Sequence, residues 1–529
     1  MCLFSLSFID CAKRGRPSGG KRDSIPPVIL KSSPENFTTN FEGNEIKIVF
    51  DEFIKLVDIQ KNLVISPPLK YQPIITPLNT SKQLRIKIID TLKENTTYSF
   101  NFGKSIVDNN EGNEFPYYKY VFSTGSYIDS LTLGGTVQDA ILPKAENPTS
   151  VLLYEYNESF TDSIILQEKP MYISVTQDSS STFQFSNLKE GKYLLVALKE
   201  KNNDFIFQPK QDKIAFLRDT ITLPTDSTFQ LTLFKERPDY KIARGTHQSK
   251  NEIIVGFSGK ADSLKLQSIS EVPEAFETRT IRDTEKDTLH YWFKPAFDAE
   301  VTDSLLLLAK NRVQLDTLTI RLKNLFADSL KITVASPNIL TKLDTFTLAV
   351  NTPIENIKED YVRIINKDST AVPAILSLNK TKNQAHILFE KQFDEKYNIT
   401  LLPEAITDFF GATNDTVAFR ARTKAEDDYG EINLTIENAS QLPLIIELVN
   451  ERFDVIRSQR VSEVVPISFP YLEPGFYYLR AIFDTNNNGI WDTGNFLKNE
   501  QPERVLYYNN ATTLEVNGNW DLRETFILE

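Results

Sequence analysis

A polar stretch near the C-terminal end, FDTNNNGIWDTGN (residues 483–495), has the residue types and spacing of a calcium loop. Calcium takes about six to eight oxygen ligands, and alternating Asp and Asn side chains in a tight loop supply several of them. The candidate ligands are the side chains of Asp484, Asn486, Asn488 and Asp492 and the backbone carbonyl of Ile490. Because Asn495 stands where such loops end in a bidentate Glu, we expect weak binding, in the roughly millimolar range.

The same stretch is also explained as a polar turn between strands, since Gly489 permits a left-handed backbone conformation. An earlier segment, Phe185–Phe207, aligns without a gap with Phe469–Trp491. It keeps the polarity of the loop, but Phe205 replaces the glycine and Gln208 replaces the last aspartate. This comparison favours a turn as the shared geometry, with calcium binding as an addition in the second copy.

Sequence signatures of catalysis are missing. The three histidines have no metal-ligand spacing, and the chain contains no G-x-S-x-G elbow, dinucleotide-binding glycine fingerprint or P-loop. The prediction is therefore a non-enzyme that requires no cofactor. An enzyme stays open as an alternative, because carboxylate pairs can form in space without being neighbours in sequence.

Asp followed by Ser or Thr and then an aliphatic residue recurs along the chain. This pattern resembles the O-glycosylation signal of exported Bacteroidota proteins. The resemblance implies modification at Thr91, Ser130, Ser163, Ser263, Ser304, Thr317, Ser329 and Thr416. The same dipeptide also makes turn hydrogen bonds just before a strand begins, and both explanations can hold at once.

The N-terminal stretch MCLFSLSFIDC resembles the end of a bacterial lipoprotein signal peptide, in which a cysteine such as Cys11 becomes the lipidated first residue. It departs from that pattern at Asp10, where a small residue is usual, and no basic segment precedes the apolar run. The alternative is a disordered N-terminus with a stray cysteine. No later stretch has about 18 continuous apolar residues, so membrane attachment is expected through a lipid anchor.

Composition predicts a soluble, multi-domain body. The chain has 529 residues, a net charge of −12, and 40% hydrophobic residues. At roughly 100–150 residues per domain, this length predicts four or five domains. The negative charge argues against a nucleic-acid partner, which would need a basic stripe.

Short alternating apolar runs separated by Gly, Pro, Asn and Asp predict an all-β fold of β-sandwiches in series, in an extended array. Two internal repeats define two sandwich types, one used near 126–236 and 426–529 and the other near 25–125 and 331–425. The expected organisation is a partial signal segment (1–11), a linker (12–24) and five sandwiches at 25–125, 126–236, 237–330, 331–425 and 426–529.

The first of these domains resembles the bacterial Ig-like domain of S-layer proteins and of Bacteroidota envelope lipoproteins. The resemblance is carried by IPPVILKSSPENF, IKIVFDEFI, TLKENTTYSFNF, IVDNNEGN and YVFSTG, in that order between residues 25 and 125. The domains at 126–236 and 426–529 are similar to transthyretin-like or carboxypeptidase-regulatory-like sandwiches.

These resemblances imply a non-catalytic scaffold or protein-interaction module in the cell envelope. The expected partners are the outer membrane, through the lipid anchor, and other envelope proteins, with the periplasmic side favoured over the cell surface. Two alternatives stay open: a subunit of an outer-membrane export or assembly complex, and a carbohydrate- or surface-binding protein.

Overall fold

Alternating apolar and polar residues form strands throughout the computed structural model, which describes residues 23–176, 180–283 and 285–528. Cys11 and the expected signal segment lie outside the described residues. Within those ranges the only α-helix is α1 (Ile59–Asn62), and no helix is long and apolar enough to cross a membrane. The short 3-10 helices are Asp162–Leu166, Glu359–Tyr361, Glu426–Asp428 and Tyr508–Ala511. The predicted all-β fold of tandem sandwiches is confirmed.

Five sandwiches follow one another along the chain, and they fall into two compact units. The first unit combines the described residues up to Asp139 with Lys144–Leu233. The second combines Ala140–Pro143 with the described residues from Phe234 onward. The first unit therefore holds two sandwiches and the second unit holds three.

The first sandwich packs two antiparallel sheets over an aromatic core. Its strands are β1 (Ile29–Ser33), β2 (Glu45–Leu56), β3 (Val64–Ser66), β4 (Ile74–Thr76), β5 (Ser81–Lys87), β6 (Thr97–Asn101), β7 (Ile106–Asp108) and β8 (Lys119–Ser123). One sheet has the order β1-β2-β5-β4 with β7 paired to β2, and the other has the order β3-β6-β8. Alternation along β2 buries Ile46, Ile48 and Phe50 in one core with Phe100 and Phe122.

The second sandwich has a parallel strand pair. Its strands are β9 (Leu131–Asp139), β10 (Ser150–Glu155), β11 (Tyr172–Val175), β12 (Thr182–Leu188), β13 (Gly191–Lys199), β14 (Lys213–Phe216), β15 (Ile221–Leu223) and β16 (Thr228–Leu233). The sheets have the orders β12-β9-β16 and β11-β10-β13-β14, with β15 also paired to β13. The last strand, β16, runs parallel to β9, and Leu153, Leu195 and Leu231 lie in the core between the sheets.

The third sandwich is antiparallel throughout. Its strands are β17 (Lys241–Ile242), β18 (Thr246–Ser249), β19 (Glu252–Ser258), β20 (Lys265–Ser268), β21 (Glu277–Arg282), β22 (Thr288–Lys294), β23 (Ser304–Asn311) and β24 (Gln314–Arg321). The sheets have the orders β17-β19-β22-β21, with β18 also paired to β19, and β20-β23-β24. Leu305 and Leu307 of β23 pack with Phe293 in its core.

The fourth sandwich repeats the strand order of the first. Its strands are β25 (Ile332–Val334), β26 (Phe346–Val350), β27 (Ile354–Ile357), β28 (Val362–Ile365), β29 (Ala374–Asn379), β30 (Gln384–Phe389), β31 (Lys396–Leu401), β32 (Ile406–Asp408) and β33 (Val417–Arg422). The sheets have the orders β25-β26-β30-β29 and β28-β31-β33, and β27 pairs with β32. Asp108 and Asp408, which the sequence repeat aligns, are both buried and both accept backbone N–H groups of the turn that follows.

The fifth sandwich repeats the strand order of the second. Its strands are β34 (Gly430–Glu437), β35 (Leu444–Asn450), β36 (Val455–Val461), β37 (Ile467–Leu472), β38 (Gly475–Phe483), β39 (Val505–Tyr507), β40 (Leu514–Val516) and β41 (Asp521–Ile527). The sheets have the orders β37-β34-β41, with β41 parallel to β34, and β36-β35-β38-β39, with β40 paired to β38. This sandwich positions the candidate calcium loop directly after β38.

Candidate functional site

The loop that follows β38 is organised by a buried carboxylate. Asp484 is only 1% exposed. Its Oδ1 accepts the backbone N–H of Asn488 at 2.9 Å, and its Oδ2 accepts that of Gly489 at 2.8 Å. Gly489 has a φ of +79°, a left-handed conformation that glycine adopts without strain. Both oxygens of the first candidate ligand are therefore engaged by the turn itself.

The other side-chain candidates converge on the last carboxylate. The Nδ2 of Asn486 donates to Asp492 Oδ2 at 2.6 Å, and the Nδ2 of Asn488 donates to the same oxygen. The backbone N–H of Ile490 donates to Asn488 Oδ1 at 2.9 Å. The structure thus brings Asn486, Asn488 and Asp492 together at the exposed tip, while Asp484 lies beneath them and holds the turn.

A guanidinium already provides positive charge at this loop. Arg460, on the neighbouring edge strand β36, places its Nη2 3.5 Å from Asp484 Oδ2 and donates to the backbone carbonyl of Asn487 at 3.0 Å. In the described ranges, no group of three or more His, Cys, Asp or Glu side chains is placed to hold a metal ion. Calcium at this tip would bind Asp492 and would require the Asn486 and Asn488 amides to turn, because their Nδ2 groups face this carboxylate and their oxygens accept backbone N–H groups. The residues therefore fit a weak site at most.

Glu503, which the sequence pattern did not predict, closes the loop. Its buried carboxylate accepts the backbone N–H of Thr485 at 2.7 Å and the Thr485 hydroxyl at 2.8 Å through Oε1, and the backbone N–H of Asp492 at 3.0 Å through Oε2. The indole N–H of Trp491 also donates to the Glu503 carbonyl. Glu503 lies after the loop, outside the spacing of the candidate ligands, so no local signal in the sequence points to it.

The equivalent loop after β13 has the same framework. Glu200 Oε2 accepts the backbone N–H of Phe205 at 2.8 Å, as Asp484 accepts that of the glycine. Asp212 accepts the backbone N–H groups of Lys201 at 3.2 Å and of Gln208 at 2.8 Å, as Glu503 does in the second copy. Phe205 has a φ of +62°, so a bulky residue adopts the left-handed conformation that Gly489 has in the second copy.

The two loops differ in how their first carboxylate is neutralised. Val175 on β11 is the first-copy equivalent of Arg460 on β36. The equivalence follows from the register of β11 on β10 and of β36 on β35. Glu200 Oε1 is buried and has no hydrogen-bond partner among the described residues. Burial is the main cause of the raised pKa of Glu200, and hydrogen bonding from the Phe205 N–H and the Ser150 side chain offsets it only in part.

The third sandwich contains a histidine between two carboxylates, which the sequence did not predict. His290 Nδ1 lies 2.6 Å from Glu252 Oε1, and its Nε2 lies 3.7 Å from Asp283 Oδ2. The hydrogen bond to Glu252 is the main cause of the raised pKa of His290. The raised pKa favours the imidazolium form, in which the contact of His290 with Glu252 is an ion pair joining β19 and β22.

The eight candidate glycosylation sites are accessible. All are exposed except Ser304, which is half-buried. Turn hydrogen bonds of the expected kind occur at Asp90, whose Oδ1 accepts the backbone N–H of Thr91, and at Asp303, which accepts the Ser304 hydroxyl. Thr317 lies within β24, so a turn before a strand does not explain its Asp-Thr pair.

Comparison with known proteins identifies one part of the chain. Residues 23–124 match the family described as bacterial Ig-like domain. No curated protein matches the chain.

Two solved structures illustrate the wider similarity. The S-layer protein rSbsC(31-844) is 12% identical over 92% of this chain and 67% of its own, with a TM-score of 0.17. The pilin subunit BcpA of Bacillus cereus is 8% identical over 75% of this chain and 99% of its own, with a TM-score of 0.14. Matches at this level carry no information about activity or partners. The chain is therefore a multi-domain β-sandwich protein with a bacterial Ig-like domain at residues 23–124.

Proposed function

We propose that this protein is a non-catalytic scaffold of the bacterial cell envelope, held at the outer membrane by a lipid on Cys11 and binding other envelope proteins through the open edges of its sheets. The bacterial Ig-like match supports a bacterial surface or envelope setting. The lipoprotein-like segment ending at Cys11 supports the anchor.

The main support for partner binding at the sheet edges is an exposed isoleucine that recurs at equivalent edge positions in two sandwiches. In the first sandwich, Ile74 lies on the edge strand β4 and is 53% exposed. In the fourth, Ile375 lies on the edge strand β29 and is 70% exposed. The residue after Ile74 pairs with Ile86 of β5, and the residue after Ile375 pairs with Ile387 of β30. Because Ile86 and Ile387 occupy the same place in their sandwiches, Ile74 and Ile375 are equivalent positions.

Edge strands normally avoid this arrangement. An edge presents unpaired N–H and C=O groups, and proteins commonly protect it with a charged residue or proline. Here the outward face of β29 instead carries Ile375 directly opposite Leu388, which is also exposed. An edge with apolar side chains on its outward face suits a partner that adds a strand or packs against the sheet.

A pull-down of tagged full-length protein from native membranes in mild detergent tests this proposal. The test variant is Ile375→Lys, and the matched control is Ser377→Lys, which adds the same charge to the same exposed face two residues along. We expect wild type and the control to retain a stoichiometric envelope partner that the test variant loses. Equal recovery by all three proteins would refute the role of this edge, and an integral-barrel partner would identify the protein as a subunit of an export or assembly complex.

The anchor is tested separately by fractionation. With Cys11→Ala, the protein is expected to move from the membrane fraction to the soluble fraction, because no helix of the described chain could hold it in a membrane. A variant that stays in the outer membrane would show that Cys11 is not the anchor.

A further inference from the structure

A cavity on the outer face of the fourth sandwich is lined by cations. Its volume is about 630 Å³, and it lies over β31 and β33 beside the segment that follows β28. Its charged lining residues are Lys367, Lys396, Arg420 and Arg422, and no acidic residue lines it. Among the residues that the structure describes, none of these four cations forms a salt bridge.

The strand register concentrates this charge. Lys396 lies directly opposite Arg422, and Asn398 lies directly opposite Arg420, on antiparallel strands. All four residues are exposed, and residues two apart on a strand share one face. Like charges placed directly opposite each other destabilise a strand pair. Folding stability therefore does not account for the arrangement, whereas an anion bound between the two strands does.

The backbone beneath the lysines is held in place. The buried carboxylate of Glu395 accepts the N–H of Lys367 at 3.1 Å and the N–H of Lys396 at 2.9 Å. The Nζ of Lys367 donates to the carbonyl of Asp394 at 3.1 Å. One carboxylate thus joins the segment after β28 to the start of β31 and positions both lysines at the rim of the cavity.

The first sandwich is an internal control for this face. Thr97 of β6 lies opposite Ser123 of β8, at the positions where the fourth sandwich has its lysine and arginine. The second sandwich covers this face of the first: Ser66 Oγ of β3 accepts the N–H of Ile173 of β11 at 3.1 Å, and the Nζ of Lys119, on the same face of β8, donates to Ser186 Oγ at 2.7 Å. The first sandwich thus has a neutral pair and one hydrogen-bonded lysine where a neighbouring sandwich docks, whereas the fourth sandwich has four cations around an open cavity.

We propose that this cavity binds a phosphorylated saccharide. The two arginines present forked guanidinium groups that match the oxygens of a phosphate, and the lysines add point charges. The amides of Asn338, Asn366 and Asn398 line the rest of the cavity and suit hydroxyl groups. A volume of about 630 Å³ exceeds what inorganic phosphate needs and is in the range of organic ligands. The saccharide is either a free sugar phosphate or a lipid headgroup.

Titration calorimetry on the full-length protein tests the proposal, with glucose 6-phosphate as the probe and glucose as its neutral control. A second measurement follows sedimentation with phosphatidylcholine vesicles that contain or lack phosphatidylinositol 4-phosphate. The test variant combines Lys396→Thr with Arg422→Ser, which recreates the neutral pair of the first sandwich. The control variant combines Lys265→Thr with Arg321→Ser, two exposed cations of the third sandwich, and changes the net charge equally.

We expect wild type and the control variant to bind glucose 6-phosphate saturably, more weakly as salt is raised, and the test variant to bind at least roughly tenfold more weakly. Binding only to the phosphoinositide vesicles, with the same loss in the test variant, would assign the site to a lipid headgroup. The proposal is overturned if neither probe binds or if both variants lose binding equally. Misfolding will not confuse the result, since removing opposed like charges is expected to leave the melting temperature unchanged or higher.

Discussion

Two carboxylates from different places in the sequence close the loop after β38. Asp484 holds the turn from below, and Glu503 holds it from the side. The sequence predicted the Asp and Asn residues of the loop, because their spacing is local. It could not predict Glu503 or Arg460, because strand pairing alone brings them to the loop. The first copy shows that the framework forms with different residues, so the turn does not depend on a complete set of calcium ligands.

Replacing Glu503 is expected to destabilise the fifth sandwich. Glu503→Ala leaves the N–H groups of Thr485 and Asp492 without acceptors, at a cost of about 2–3 kcal/mol. Asp212→Ala removes the equivalent acceptor and should loosen the loop of the second sandwich. Hydrogen exchange by mass spectrometry should show faster exchange in the loop next to each substitution. Unchanged exchange in both loops would contradict the closing role of these carboxylates.

Weak calcium binding stays a prediction for the exposed tip of this loop. Roughly millimolar calcium should raise the melting temperature of wild type, because the Asn486 and Asn488 amides lie beside Asp492 and can turn their oxygens toward a cation held there. Asp492→Asn should abolish the rise, whereas Glu463→Gln, an exposed carboxylate outside the loop, should retain it. A wild-type melting temperature that does not respond to calcium leaves only the structural turn.

Glu200 gives the second sandwich a pH dependence. Its pKa is raised in the folded state, so the folded protein binds this proton more readily than the unfolded chain. The contribution of Glu200 to stability therefore falls as pH rises above the ordinary glutamate pKa. Glu200→Gln should raise stability at neutral pH and have little effect below the unfolded pKa, in calorimetric scans across that range. Equal effects at both pH values would show that the charge of Glu200 is not responsible.

The two sequence repeats correspond to two strand orders, each of which occurs in two sandwiches. Alternation of apolar residues was sufficient to predict strands, and the sequence repeats were sufficient to pair the second sandwich with the fifth and the first with the fourth. The parallel closure of β16 on β9 and of β41 on β34 was not predictable, because apolar alternation is the same in parallel and antiparallel edge strands. The expected extended array stays a prediction.

Neighbouring glycines of β9 provide a test of the parallel closure. A Cβ on Gly135 would lie 2.1 Å from the backbone carbonyl oxygen of Phe229 on β16, whereas a Cβ on Gly134 has no atom nearer than 3.5 Å. Gly135→Ala should therefore destabilise the second sandwich by about 2–3 kcal/mol, because backbone would have to move. Gly134→Ala should be tolerated. Calorimetric unfolding distinguishes the two, and similar melting temperatures would contradict the close approach of β16.

Over the whole molecule, the described residues form repeated sandwiches whose outer faces differ. Buried carboxylates hold loops and join strands, as Glu503 does after β38 and as Glu252 does with His290. The two sandwiches of the first type share one fold and differ in what their outer sheet faces carry. One face carries a single lysine and docks a neighbouring sandwich, and the other carries four cations around an open cavity. This distribution supports a role in which binding surfaces, carried on repeated sandwiches, provide the function.

The most direct measurement of the central proposal is site-specific photocrosslinking in living cells. A benzophenone side chain placed at Ile375 is expected to give one discrete crosslinked product with an envelope protein, and the same group at Ser377, on the polar part of the same face, should give much less. Cys11→Ala should abolish the product, because the protein would leave the membrane. A product of equal yield from both positions, or none from Ile375, would contradict an interaction module that binds its partner at this edge.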